Sequence, residues 1–309
     1  MFTLKRISFL KYRKFYYIIF SSIIIFGLAV GFIRGFNYGI DFTGGTMLQL
    51  EMGRKVSVSE IDKVLKTNGI EADIVHAGEN NSQVIIRTVQ ALDTAAREEL
   101  LSDFYTEFNL SEDSVMSIEQ FGPSVGDMLK KNAVKAVIIA SIGMLIYIIF
   151  RFEWKFGLAA IITVVHDVLF LIAFYGFFGI SINNPFIAAV LTLVGYSIND
   201  TIVIFDRIRE NLNIMKKNKL EELVDTSINQ TLVRSLITSV TTIVAIIPLF
   251  ILGGEVIRQF TLPLIIGIAA GAASSICIAS PIYYQLCQIT GGPKYKGKKS
   301  KKAKIKIKE

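Results

Sequence analysis

The sequence predicts a polytopic α-helical membrane protein, six transmembrane helices carrying one extracytosolic ferredoxin-like α+β domain. Three observations support this. Apolar residues make up 52% of the chain and charged residues 19%, with mean hydropathy +0.50, a balance that places most of it in lipid. Residues 16–33, 133–150, 156–179, 185–205, 234–252 and 262–285 each form an apolar run near the roughly 20 residues of helix that cross a hydrocarbon core. A single polar segment, residues 37–130, stands apart from these runs in composition and turn signals.

The expected organisation is therefore a cytosolic N-terminus and first helix (1–36), the external domain (37–130), and the remaining five-helix membrane portion (131–290). The last contains a cytosolic segment (206–232) and is followed by a basic tail (291–309). Lys5, Arg6, Lys11, Arg13 and Lys14 precede the first span, and Arg207, Arg209, Lys216, Lys217 and Lys219 follow the fourth. Basic flanks mark the cytosolic side, which predicts N-in and C-in, with Lys130, Lys131 and Lys135 counting against it. The first apolar run is too long for a signal-peptide core and lacks a small-x-small cleavage site, so it is expected to stay as a span. Cys277 and Cys287 both fall on the sixth run and imply no disulfide framework.

Within 37–130 the pattern reads strand 46–52, helix 58–68, strand 72–77, strand 83–89, helix 93–108 and strand 114–120. The first helix opens on a Ser57-x-x-Glu60 capping box and closes at Gly69; a hairpin turns through Glu79, Asn80, Asn81 and Ser82. The βαββαβ order is the split ferredoxin-like arrangement, with both helices on one face of an antiparallel sheet. His76 is a lone histidine in a strand with no Cys or His at metal spacing, so it reads as a surface or edge residue and no metal site is expected. The domain reads as a docking or handling surface. Asp41, Gly44 and Gly45 on its entry side, and Gly122 and Pro123 on its exit side, have two open readings. One is ordinary turn and capping chemistry, with Ser124 and Asp127 as caps; the other is a hinge.

Asp200 lies inside the fourth apolar run. A carboxylate at membrane depth costs at least about 2.5 kcal/mol and needs a partner, a water path or a proton. Arg234 opens the fifth run at a similar depth, so the two can pair if those helices touch, and a proton relay between them is one reading. Tyr196, Ser197, Asn199 and Thr201 on the same helix, and Thr238 one turn from Arg234, could hold water near the carboxylate. The bland alternative is that an Asp–Arg pair sets helix register, or that Arg234 snorkels to lipid phosphates. His166 and Asp167 lie mid-span but about 100° apart around their helix, so they are not expected to address one site. One is expected to bond to a neighbouring helix while the other lines a cavity.

The stretch 267–275 is rich in small residues and contains a Gly267-x-x-x-Gly271 spacing that permits close helix packing. Segment 206–232 has amphipathic spacing and is expected to lie along the cytosolic surface as a helix pair. The lysine-dense tail 294–309 is expected to be drawn to anionic lipid, with no specific nucleic-acid partner. No nucleotide-binding loop or hydrolase constellation is visible, which argues against an enzyme.

These residues together resemble the SecF branch of the bacterial SecD/SecF protein-export family, within the resistance-nodulation-division (RND) superfamily. The resemblance rests on Asp41-Phe42-x-Gly44-Gly45, Phe121-Gly122-Pro123-Ser124-Val125-Gly126, Arg151-Phe152-Glu153-Trp154, His166-Asp167, the block from Gly195 to Asn211, and Arg234-Ser235-Leu236-Ile237-Thr238-Ser239. It implies half of a twelve-span RND-type transporter in the bacterial cytoplasmic membrane, an obligate partner SecD, the SecYEG channel and a translocating preprotein. Protons are the implied coupling ion, with no other cofactor, and the family's pathway residues fall on Asp200 and Arg234. A further pathway carboxylate is implied to come from SecD. An RND-type small-molecule or lipid transporter and a non-conducting scaffold subunit are the alternatives.

Overall fold

The computed structural model describes residues 7–214 and 220–292. Lys5, Arg6, Lys216, Lys217, Lys219 and the tail 294–309, on which parts of the reading above fall, lie outside the described residues. After a 3₁₀ turn (Leu10–Tyr12), α1 (Arg13–Arg34) is the first span and a one-turn helix, α2 (Ile40–Thr43), leads into the α+β region. That region comprises β1 (Gly45–Glu51), α3 (Val58–Thr67), β2 (Asp73–Ala77), β3 (Gln83–Thr88), α4 (Thr94–Phe108) and β4 (Val115–Phe121). The rest of the membrane bundle is α5 (Pro123–Arg151), α6 (Trp154–Phe178), α7 (Asn184–Ile214), α8 (Leu220–Leu252), α9 (Glu255–Ser274) and α10 (Ser280–Ile289). A π-turn, Ser275–Ala279, joins α9 and α10 into one sixth span.

The small domain follows from its alternation. Along β1, Leu48 and Leu50 are buried while Met47 and Gln49 are only partly covered, the period-two pattern of a sheet with one packed face. Those leucines meet Val84 and Ile86 of β3, Ile61 and Leu65 of α3, and Leu100 and Phe104 of α4 in one core. The sheet runs β2-β3-β1-β4, all pairs antiparallel, the expected split βαββαβ. Ser57 and Glu60 form the anticipated reciprocal cap of α3. Gly69, Asn80 and Asn81 take the positive φ that their turns require. His76 Nε2 lies 2.6 Å from the Val56 carbonyl, a local structural bond.

In the membrane portion α6, α7 and α9 form the interior, whereas α1, α5 and α8 turn most of their apolar surface outward. At one end of the bundle the backbone N–H of Ile7 donates to Asn229 Oδ1 and that of Leu10 to Asp225 Oδ1, both at 3.0 Å. Tyr284 reaches Glu221 at 3.2 Å, and Lys155 Nζ donates to the Gly292 carbonyl. Both ends of the described chain therefore lie together, and the α+β domain sits at the opposite end, over the starts of α7 and α9.

Three expectations are corrected. Segment 206–232 is a helix pair as expected, but its described residues do not lie along a surface: they continue the membrane helices, α7 to Ile214 and α8 from Leu220. Its apolar residues Ile208, Leu223 and Val224 continue the bundle core. Arg207 Nε and Asn211 Nδ2 both donate to Gln230 Oε1, and Asn211 also donates to Ser227, so the polar residues of this stretch stitch the two helices together. Arg234 consequently lies well inside a 33-residue helix rather than at its start. The second membrane helix begins at Pro123, earlier than the predicted domain edge, and Gly122 is its N-cap residue without a side-chain bond, so Ser124 and Asp127 do not cap it.

Replacing Ser57 by Ala removes one half of the α3 capping box, at a cost of about 1 kcal/mol. Hydrogen exchange of the full-length protein is expected to show the first-turn amides of α3 opening about fivefold more readily, with the membrane helices unaffected.

Candidate functional site

The site is organised by α7, which is 31 residues and about 46 Å long. Residues three and four apart share a helical face, and α7 has two polar faces. Tyr196 and Asp200 look toward α8; Ser197 and Thr201 look toward α6 and the π-turn. Asp200 is 3% exposed, and its Oδ2 accepts a hydrogen bond from Ser239 Oγ on α8 at 3.1 Å. One turn away, the hydroxyls of Tyr196 and Thr242 are hydrogen-bonded.

The predicted contact between the fourth and fifth helices is present, but the predicted pair is not made. Among the described residues no ion pair joins Asp200 to Arg234, and Ser239 occupies the carboxylate instead. Arg234 is exposed and lines a cleft of about 620 Å³ with Arg151, Asp206, Arg207, Glu210 and Gln230. The cleft opens at the charged end of the hairpin, where Arg151 and Asp206 approach to 3.8 Å. The carboxylate is thus sealed in the bundle while the guanidinium meets polar space.

The supporting residues divide. Ser197 does not serve Asp200: it donates to Asp167 Oδ2 on α6 at 2.5 Å. Thr201 shares a 3.0 Å bond with Ser275 in the π-turn, whose hydroxyl also donates to the Gly271 carbonyl at 2.8 Å. Asn199 is exposed and turned away from the carboxylate, and Thr238 bonds to the Arg234 carbonyl of its own helix. His166 and Asp167 do meet in one site, against expectation: Nδ1 of His166 lies 3.0 Å from Oδ1 of its neighbour. The side chains bend toward each other although their Cα–Cβ directions diverge. The expected close packing of 267–271 is present: a Cβ on Gly267 would stand 2.7 Å from a Leu193 methyl of α7.

At the far end of α7 the glycine element has a definite role. Asn183 caps the helix by accepting from Phe186 N at 3.0 Å, and Asp41 Oδ2 accepts from Asn184 N at 2.7 Å. Pro185 between them has no N–H, so the orphan donors of this helix start are accounted for. A second link starts in the domain. Arg87 of β3 pairs with Glu255 at 3.6 Å, Glu255 accepts from Gln259 at 2.8 Å, and Gln259 accepts from the capping Asn183 at 2.5 Å. Gly44 and Gly45 take φ of +79° and +139°, and a Cβ on Gly45 would fall 2.1 Å from the Thr88 carbonyl. A Cβ on Gly126 would fall 2.6 Å from the Phe42 carbonyl, which explains the glycine in the first turn of α5. Sequence reasoning missed the Arg87 chain and Ser239; Asp41, four residues before the Gly45 that begins β1, was the available signal.

Comparison with known proteins decides the class. Residues 102–288 match the model of the SecD/SecF protein-export membrane protein C-terminal region, and residues 30–56 match the SecD/SecF GG motif. A protein translocase subunit SecF from Sebaldella termitidis is 40% identical over 94% of this chain and 96% of its own length. The chain belongs to the SecD/SecF family, on its SecF branch. A SecF from Haemophilus influenzae is 37% identical over 90% of this chain and 86% of its own. The crystal structure of SecDF, a translocon-associated membrane protein from Thermus thermophilus, superposes with a TM-score of 0.82 at 37% identity. That match covers 93% of this chain but 39% of the other, so the SecDF chain is much longer than this SecF-type one. The GG motif contains the element that caps α7 and enters β1.

Replacing Asp41 by Ala is expected to cost about 1 kcal/mol through loss of the bond and the charge at the α7 N-terminus. Thermal unfolding in detergent should report it as a lowered midpoint, and Asp41→Asn, which keeps an acceptor, should lose less.

Proposed function

We propose that this SecF-type subunit of the protein-export machinery couples proton movement to late steps of preprotein translocation, with Asp200 as the group that gains and loses the proton. The observation that carries this is a carboxylate at membrane depth held by a hydroxyl rather than a cation. A single Ser239 bond satisfies either protonation state, because a serine hydroxyl both donates and accepts. Arg234, in the adjacent polar cleft, is the cation that drives release when helix movement brings it to the carboxylate, since a nearby positive charge favours the ionised form. The cleft leads solvent toward that arginine.

Work is delivered at the other end of α7. Asp200 stands about 24 Å along the helix from its start, where Asp41 and the Arg87–Glu255–Gln259–Asn183 chain tie it to the α+β domain. Movement of α7 is passed to the domain through these bonds, with Gly44 and Gly45, and Gly122 and Pro123 on the exit side, as the pivots. SecD is the partner that completes the bundle, consistent with the outward apolar faces of α5 and α8 and the greater length of SecDF. The N-terminus and the described C-terminal end face the cytosol, where the SecYEG channel is supplied with preprotein, and the domain faces outward.

Cells whose only copy carries Asp200→Asn are expected to assemble the subunit with its partner yet lose proton-driven export by about 100-fold, the lower end of what a positioned acid–base side chain contributes to a reaction rate. Secretion of a reporter preprotein, with membrane abundance and partner co-purification measured in the same cells, checks it. Wild-type secretion would remove Asp200 from the mechanism.

A further inference from the structure

A second carboxylate is buried more deeply than Asp200. Asp167 is 1% exposed, with one oxygen against His166 Nδ1 at 3.0 Å and the other accepting from Ser197 at 2.5 Å. Among the described residues its one ion pair is with His166. On α1, Phe20 stacks edge-on against the imidazole with centroids 5.2 Å apart. Tyr17, one turn earlier on the same helix, also has a buried hydroxyl. From α9, a Cβ on Gly271 would stand 3.7 Å from Asp167 Oδ2 and 3.6 Å from Ser197 Cβ, so that helix closes over the contact. On α7 the nearest carboxylate in sequence is Asp200, bonded to Ser239 of α8.

An ionised carboxylate beside a neutral imidazole would leave a net charge inside an apolar bundle, which is costly. A neutral acid beside a neutral imidazole, or a carboxylate beside an imidazolium, carries no net charge, and the two arrangements contain the same number of protons, so the pair keeps that proton while the bundle is closed and gives it up only when helix movement opens the contact to water. We propose that His166 and Asp167 hold one exchangeable proton between them, a second protonation site linked by Ser197 to the helix that carries Asp200. The proposal rests on the proton-coupled reading above and adds a site to it. Ser197 and Asp200 are three residues apart on different faces of α7, so a rotation that frees Asp200 from α8 also disturbs the Ser197–Asp167 bond. Exchange at one site is thereby tied to the state of the other through one rigid helix.

The test uses pH-difference infrared spectra of the subunit with its partner in lipid vesicles. The expected result is a titrating band that Asp200→Asn keeps, Asp167→Asn abolishes and His166→Gln shifts. A spectrum unchanged by Asp167→Asn overturns the proposal. If that variant does not assemble, Ser197→Ala retains both titrating groups and should shift the same band; no shift overturns the proposal equally. Normal export by Asp200→Asn would defeat the proton-coupled reading while leaving the Asp167 band readable, so the two failures are distinguishable.

Discussion

Carboxylates enclosed in an apolar helix bundle set the terms for everything around them. Neither Asp200 nor Asp167 reaches water, and each is held by a serine from a neighbouring helix, Ser239 and Ser197 respectively. Hydroxyls of this kind satisfy a carboxyl group without fixing its charge, unlike an arginine pair. The arrangement requires helices to approach closely on both sides of α7. That explains Gly267 on α9, where a side chain would strike Leu193, and the π-turn that aims Ser275 at Thr201.

The same helix carries the mechanical link. A continuous α-helix transmits displacement because its hydrogen-bond ladder is stiff along the axis, and α7 is unbroken from the Asn183 cap to the hairpin beyond Asp200. Its N-terminal end is tied twice to the α+β domain, directly through Asp41 and indirectly through Arg87. Its other end is stitched to α8 by Asn211, Arg207 and Gln230. The buried Asp200, the domain contact and the cleft thus share one element, which is what coupling between distant sites needs physically.

Much of this was legible in the residues. The small domain could be read because alternation, a capping box and positive-φ turn residues all pointed to the same elements, and Asp200 because its depth alone made it exceptional. Depth does not reveal azimuth, however. Arg234 and Ser239 are five positions apart, about 140° around the α8 axis, and the buried row is Ser235 and Ser239, so the serine rather than the arginine faces Asp200. The charges of 206–232 ended the apolar windows, yet Ile208, Leu223 and Val224 kept the helices packed. The Arg87–Glu255–Gln259–Asn183 chain was invisible because it joins residues far apart in sequence, none of them unusual alone.

The central claim is that the protonation state of Asp200 is communicated along α7 to the α+β domain. Spin labels placed on the solvent face of α4 and at the outer end of α5, in the partnered subunit in vesicles, measure that directly by their distance distribution as pH is varied. The account predicts a distribution that shifts with pH in the wild type and stays fixed in Asp200→Asn. A distribution independent of pH in the wild type, or one that shifts equally in the variant, would contradict it.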